Sequence, residues 1–158
     1  MAAATYLVAL GSNRRSGWGS PERTLSAALD AVGGVLAVSP VVATPALGPA
    51  GRRFANAVAL VGSAEEPPAM LRRLKGIERA FGRRGGRRWG ARVVDLDLIG
   101  WSGGAWDEPG LTVPHPRFRE RRFVLAPLAA VAPRWRDPVT GLTPRQLLAR
   151  IDRRRPHA

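Results

Sequence analysis

Between residues 5 and 99 the hydrophobic period changes four times, from that of a strand to that of a helix and back and then again, and this order leaves few folds open. Thr5–Leu10 (TYLVAL) is a continuous apolar run closed by Gly11-Ser12-Asn13, the pattern of a buried strand and a turn. Ser20-Pro21 supplies a helix N-cap and a proline at the first helical position. Leu25, Ala28, Leu29 and Val32 then recur at helical spacing until Gly33-Gly34. Val35–Val42 and Phe54–Val61 are β-rich runs separated by a loop holding Pro45, Gly48, Pro49 and Gly51. Pro67-Pro68 opens a second helix with the stripe Met70, Leu71, Leu74, Ile77 and Phe81, and the loop Gly82–Gly90 leads into a strand over Arg92–Ile99.

The order β-α-β-β-α-β predicts an α+β fold, a ferredoxin-like antiparallel sheet with helices packed on one face. After a Gly/Trp-rich turn, Leu111–Val113 reads as a short strand running into Pro114-His115-Pro116. A helix is predicted over much of Arg119–Val131, and Thr143-Pro144 caps a last one reaching about Ile151, with 153–158 as a frayed tail. Neither an internal repeat nor a low-complexity linker interrupts the 158 residues, so they read as one domain, 1–158.

Composition narrows the chemistry. The absence of Cys excludes disulfide frameworks, thiolate zinc sites and cysteine nucleophiles. The net charge of +13 is almost entirely guanidinium, since Lys75 is the only lysine. Such an excess fits either codon bias or a polyanionic partner, because guanidinium pairs bidentately with phosphate. No apolar run is long enough to span a bilayer, and the N-terminus lacks a basic segment before its apolar residues, which predicts a cytoplasmic chain.

The segment Arg88-Trp89-Gly90-Ala91-Arg92-Val93-Val94-Asp95-Leu96-Asp97-Leu98-Ile99 carries the most chemistry. Strand alternation puts Asp95 and Asp97 on one face with Val93 and Ile99, while Val94, Leu96 and Leu98 fill the other. Two like charges about 6.6 Å apart along a strand repel and are poor strand formers, so something cationic belongs beside them. That cation is either a set of neighbouring arginines on a solvated face or a metal ion. The preceding loop favours the metal: Arg83, Arg84, Arg87, Arg88 and Arg92 carry positive charge among glycines, which together with acidic ligands are the parts of phosphoryl transfer. Carboxylates alone suit hard, oxygen-liganded cations. Glu78 leans toward the buried stripe of its helix, either as a ligand contact or as an edge carboxylate paired with a neighbouring Arg. Phe54 and Asn56 share a strand face, and His115 sits in a stiff turn between prolines. There is no Walker A loop, HEXXH or GxSxG motif.

These residues resemble the 6-hydroxymethyl-7,8-dihydropterin pyrophosphokinase family, ATP-dependent enzymes of folate biosynthesis. The resemblance begins at Ala9-Leu10-Gly11-Ser12-Asn13. It continues through Thr44-Pro45-Ala46-Leu47-Gly48-Pro49, Phe54-Ala55-Asn56-Ala57-Val58, Arg88–Asp97 and Leu111-Thr112-Val113-Pro114-His115 to Arg122-Phe123-Val124-Leu125-Ala126-Pro127-Leu128. It implies a ferredoxin-like α+β domain in which ATP gives its β,γ-diphosphate to the pterin hydroxymethyl group and leaves as AMP. By the same resemblance Asp95 and Asp97 hold Mg²⁺, with two ions expected, and Arg83, Arg92, Asp95 and Asp97 form the catalytic set. The pterin is held by Thr44, Leu47, Phe54, Asn56, Asp95 and Phe123. ATP is met by Glu78, Arg84, Trp89, Arg92, Leu98, Thr112, His115 and Arg121. The implied partners are small molecules, with neither nucleic acid nor membrane, and the implied state is a monomer.

The chain departs from the family pattern in places. Val42 and Ala43 stand where an aromatic and an Arg are usual, Phe54 replaces the common Tyr, the loop after the second helix is about one residue shorter, and Lys75 stands where a Gln is sometimes found. None of these positions is a carboxylate of the DxD pair. Two other readings compete. A ferredoxin-like RNA-binding module lacks its aromatic central-strand motif here, and Asp95 and Asp97 would repel RNA. An inactive family member would have lost Asp95, Asp97 or Arg92, and all three are present.

Overall fold

The computed structural model describes residues 3–13, 17–44, 54–84 and 93–154, the side chains of Thr44, Arg83 and Arg84 lying outside that description. Its centre is β1 (Ala4–Ser12), which pairs antiparallel with β4 (Phe54–Ser63) on one side and β5 (Asp95–Trp101) on the other. β2 (Val35–Val38) and β3 (Val42–Thr44) both pair with β4, so the sheet runs β2-β4-β1-β5 with β3 beside β4. This is the predicted ferredoxin-like order, with its outer strand broken in two. The break has a local cause. Pro40 has no N–H to donate to a ladder, and Ser39 bridges the interruption. Its N–H donates to Val58 O at 2.9 Å and its hydroxyl accepts from Val58 N–H at 3.0 Å. The single run Val35–Val42 expected from composition is therefore two strands.

β1 is apolar on both sides, and both sides are covered. Tyr6, Val8 and Leu10 pack with Leu25, Ala28 and Val32 of α1 (Pro21–Val32) and Met70, Leu74 and Phe81 of α2 (Pro67–Arg84). Leu7 and Ala9 point the other way, with Val58 and Ile99, onto Val124, Leu125 and Leu128 of α3 (Arg122–Val131) and Leu147 of α4 (Pro144–Arg154). The expectation of helices on one face is corrected: helices lie on both. A strand that reads as a continuous apolar run is buried on both faces and requires a layer on each.

Smaller differences have equally local reasons. The helix expected over Arg119–Val131 begins as a 3-10 turn, Phe118–Glu120, and α3 starts only after Arg121, whose backbone is extended. The Gly/Trp-rich turn contains β6 (Trp106–Glu108), which forms a hairpin with β7 (Leu111–Val113) through Gly110 at φ +84°. β5 begins later than the predicted strand and extends to Trp101, and α4 continues past Ile151 to Arg154. A register shift between Leu7 and Val8 leaves Ile99 as an extra residue on β5. Trp101 consequently packs with the cluster around Tyr6 and not with Leu7.

Because both faces of the sheet carry a core, Leu125→Ala on the α3 side should destabilise about as much as Leu74→Ala on the α2 side, each by roughly 2–5 kcal/mol. Urea unfolding midpoints of the two variants check this; a Leu125→Ala protein as stable as the parent would contradict the two-sided core.

Candidate active site

The site is organised by β5 as an outer strand. Among the described residues no strand pairs with its backbone groups facing away from β1, and a side chain from α2 and a backbone amide from the turn after β7 take that place. Glu78 of α2 accepts a hydrogen bond from Leu96 N–H at 2.7 Å through Oε2, and its Oε1 lies 3.2 Å from Lys75 Nζ. That explains why a carboxylate only 7% exposed sits at the edge of an apolar helix stripe. The carbonyl of Ile99, the bulged residue, accepts from His115 N–H at 3.0 Å, which holds the turn after β7 against β5. The His115 Nδ1 atom accepts from Arg117 N–H at 3.2 Å, so in the neutral ring the proton is on Nε2. Burial pushes the His115 pKa below its ordinary value; Asp97 opposes that, and Arg121, Arg117 and Lys75 add to it.

Between α2, β5 and β7 these contacts leave a cavity of about 340 Å³. Leu71 and Lys75 line it from α2, Leu96, Asp97 and Leu98 from β5, and Gly110, Leu111, Thr112, His115 and Pro116 from the hairpin and the turn after it. Three residues expected to meet ATP, Leu98, Thr112 and His115, thus share one cavity with an expected metal ligand, Asp97. Glu78 stands behind its wall, bonded to Leu96. Lys75 and Leu71 were not in the expected set, although their i, i+4 spacing on α2 puts them on one helix face.

The second half of the site lies on the α3 side of the sheet. Strand pairing sets Asn56 opposite Gly11 and Gly11 opposite Asp95, so an amide and a carboxylate flank a glycine in one row across three strands. The next row is Val58, Ala9 and Asp97. By alternation Phe54 shares the face of Asn56, and Asp95 and Asp97 share the face of Ile99. The small central residues matter: a Cβ on Gly11 would come within 3.0 Å of Asn56 Oδ1. Gly11 therefore leaves space between two polar groups about 10 Å apart, two strand spacings. Asn56 is 5% exposed, whereas Phe54 and Phe123 are 37% and 38% exposed, unusual for phenylalanines flanking a core. Phe123 stands in the first turn of α3, with the Arg121 guanidinium 5.9 Å from its ring centre.

Arg121 also connects the two halves, its Nη1 lying 3.8 Å from Asp97 Oδ2. Among the described residues no group of three or more His, Cys, Asp or Glu side chains could enclose a metal ion. The half-buried pair Asp95 and Asp97 nevertheless fits Mg²⁺, which is commonly held by one or two carboxylates with substrate phosphates and water completing its shell. Leu47, Trp89 and Arg92 lie outside the described residues, as do the side chains of Thr44, Arg83 and Arg84. For Arg83 and Arg84 the backbone is described: they end α2.

The family model for 7,8-dihydro-6-hydroxymethylpterin-pyrophosphokinase matches residues 7–133. A relative from Pseudomonas aeruginosa, described as 2-amino-4-hydroxy-6-hydroxymethyldihydropteridine pyrophosphokinase, is 41% identical over 137 residues, covering 83% of this chain and 82% of that protein. The Synechocystis protein of the same description is 40% identical over 107 residues, which is 68% of this chain and 55% of that one. The Mycobacterium leprae protein is 40% identical over 142 residues, 82% of this chain and 72% of its own. Among solved structures, an HPPK-DHPS chain of Plasmodium falciparum superposes with a TM-score of 0.70 at 13% identity, over 94% of this chain and 43% of that one, a likeness of fold. The matched segment takes in most of β1 and all of α2, β4, β5, the β6–β7 hairpin, the 3-10 turn and α3, the elements that carry the site just described, and the chain belongs to the 7,8-dihydro-6-hydroxymethylpterin-pyrophosphokinase family.

Proposed function

We propose that the chain transfers the β,γ-diphosphate of ATP to the hydroxymethyl oxygen of 6-hydroxymethyl-7,8-dihydropterin in folate biosynthesis, with Mg²⁺ as cofactor. The carrying observation is that Asp97 belongs to two surfaces at once. It lines the cavity of Leu98, Thr112 and His115, and it stands on the sheet face that holds Asn56 and Phe54. Two ligands, one in the cavity and one on the sheet face, would meet at that carboxylate.

The residues divide the work by chemistry. Asn56 both donates and accepts, which suits the mixed edge of a pterin. Phe54 and Phe123 offer the exposed rings that a flat heterocycle can stack on. Leu71, Leu98 and Leu111 give the cavity an apolar wall for a nucleoside, while Lys75, His115 and Arg121 bring donors to its phosphate end. Neutral His115 offers its Nε2–H as a donor that does not add charge. Asp95 and Asp97 would hold Mg²⁺, whose role when bound is to neutralise phosphate charge and polarise the reacting oxygens. Arg83 and Arg84, at the end of α2, and Trp89 beyond it are assigned to closing over the triphosphate, and Arg92 to contact with its phosphates. In the transfer the hydroxymethyl oxygen bonds to the β-phosphorus, the bond from that phosphorus to the α,β-bridging oxygen breaks, AMP leaves and the hydroxyl proton is lost. An ATP of about −4 among so many arginines also supplies a specific partner for much of the positive charge.

Incubating the chain with ATP and Mg²⁺, with and without hydroxymethyl-dihydropterin, tests the reaction by ³¹P NMR. AMP formed only when the pterin is present is the expected result; ADP, or AMP independent of the pterin, would refute it. Gly11→Ala should weaken pterin binding about tenfold by crowding Asn56 while leaving the affinity for an ATP analogue within about twofold. Pterin fluorescence titration and calorimetry check the two arms, and undiminished pterin affinity would remove Gly11 and Asn56 from the pterin site.

A further inference from the structure

Outside the site, Asp137, in the loop after α3, has a full set of buried polar contacts. It is 0% exposed, and both carboxylate oxygens are saturated. Oδ2 accepts from Arg119 Nε at 2.6 Å and from the Thr140 hydroxyl at 2.8 Å, and Oδ1 accepts from Arg119 Nη2 at 2.8 Å and Val139 N–H at 3.0 Å. Burial pushes this carboxyl up, but the Arg119, Thr140 and Val139 hydrogen bonds prevail and hold it below the usual carboxylate range. Its backbone is locked as well, with Asp137 N–H donating to Leu142 O at 2.9 Å and Gly141 N–H donating to Asp137 O at 2.7 Å. Arg119 lies in the 3-10 turn before α3, its guanidinium 4.8 Å from the Phe118 ring centre.

A buried ion pair is weak evidence for stability, since apolar packing of similar volume often does as well. The informative fact is what the turn leads into. Arg121 is the N-cap of α3, where a guanidinium has no acceptor to offer the first helical N–H groups, and its side chain reaches Asp97. The start of α3 is therefore set from the preceding turn, through Arg121 N–H to Phe118 O at 3.2 Å, with Arg119 tying that turn to Asp137. Asp137 follows the C-terminus of α3 and Arg119 precedes its N-terminus, so one pair braces both ends of the helix that carries Phe123 in its first turn.

We infer that Asp137 and Arg119 are positioning residues for the reaction, holding Arg121 where it meets Asp97 and the phosphate end of the cavity. The inference rests on the nucleotide reading of that cavity for its binding test, and a ligand-free measurement keeps the two separable. Asp137→Asn keeps the acceptor for Val139 N–H, turns the oxygen that Thr140 meets into an NH₂ that can donate to that hydroxyl, and removes the charge that Arg119 grips. Calorimetry with α,β-methylene-ATP and Mg²⁺ should show affinity about tenfold weaker in Asp137→Asn, and less than about twofold weaker when the same change is made in an Arg121→Ala background. Equal losses in both backgrounds, or no loss in a folded Asp137→Asn protein, would overturn the inference, because a merely structural pair acts independently of Arg121. Should Asp137→Asn not fold, Arg119→Lys enters the same cycle, keeping the charge and losing the two-pronged geometry. Asp152→Asn, at the exposed Arg122–Asp152 pair, is the control that leaves affinity unchanged. In the ligand-free protein the Arg121 side-chain ¹⁵Nε resonance should move in Asp137→Asn; an unmoved resonance would also overturn the inference. A parent chain that binds no nucleotide would count against the proposed function, leaving the resonance to decide on the positioning.

Discussion

An outer strand has one row of backbone groups with no strand beside it, and in this fold everything near the site depends on how β5 resolves that. An unpaired edge invites either aggregation or a cap. β5 is capped by specific partners, Glu78 on Leu96 N–H and the His115 amide on Ile99 carbonyl. Each cap brings its own neighbourhood: Glu78 brings Lys75 and the α2 wall, and His115 brings β7 and Thr112. The cavity is the space those two caps leave between them. The same strand turns Asp95 and Asp97 to its α3 face, where β1 contributes only Gly11 and Ala9 and β4 contributes Asn56. One seven-residue strand thereby borders both the cavity and the α3 face of the sheet, with Asp97 belonging to both.

Electrostatics follow from the same arrangement. A carboxylate pair on a strand would be unfavourable in isolation, yet here Asp97 lies beside the Arg121 guanidinium. Three arginines in four positions around the start of α3 have separate tasks. Arg119 grips buried Asp137, Arg121 reaches Asp97, and Arg122 pairs with exposed Asp152. The bidentate, buried pair is the one with the geometry to hold a segment in place, whereas the exposed pair contributes little.

The order of elements was legible in the sequence because hydrophobic period changes where the structure changes, and Ser20, Pro21 and Gly33 mark the limits of α1 as expected, with the Ser20 side chain accepting from Arg23 N–H. The face shared by Asp95 and Asp97 was legible too, since alternation needs no tertiary information. The second helical layer was missed although TYLVAL, apolar at every position but its first, carries its signature. The split at Pro40 has a local cause, a proline with no N–H for the ladder, which reading Val35–Val42 as one run passed over, whereas the extended residue at Arg121 goes with Asp97 and the preceding turn, which no local pattern reveals. Glu78 carries two meanings in the sequence, a ligand contact or an edge carboxylate, and its bond to Leu96 N–H depends on a tertiary contact with β5. The row Asn56–Gly11–Asp95 requires strand register, and the tie between Asp137 and Arg119 spans 18 residues.

The central claim is that two substrates converge on Asp97 from opposite sides of one strand. Proton relaxation of bound hydroxymethyl-dihydropterin, in the presence of α,β-methylene-ATP and Mn²⁺ in place of Mg²⁺, tests it most directly. The account predicts strong Mn²⁺-dependent relaxation of the hydroxymethyl protons, which disappears in Asp97→Ala although the pterin still binds. A pterin that binds the parent chain with no Mn²⁺-dependent relaxation would contradict the claim.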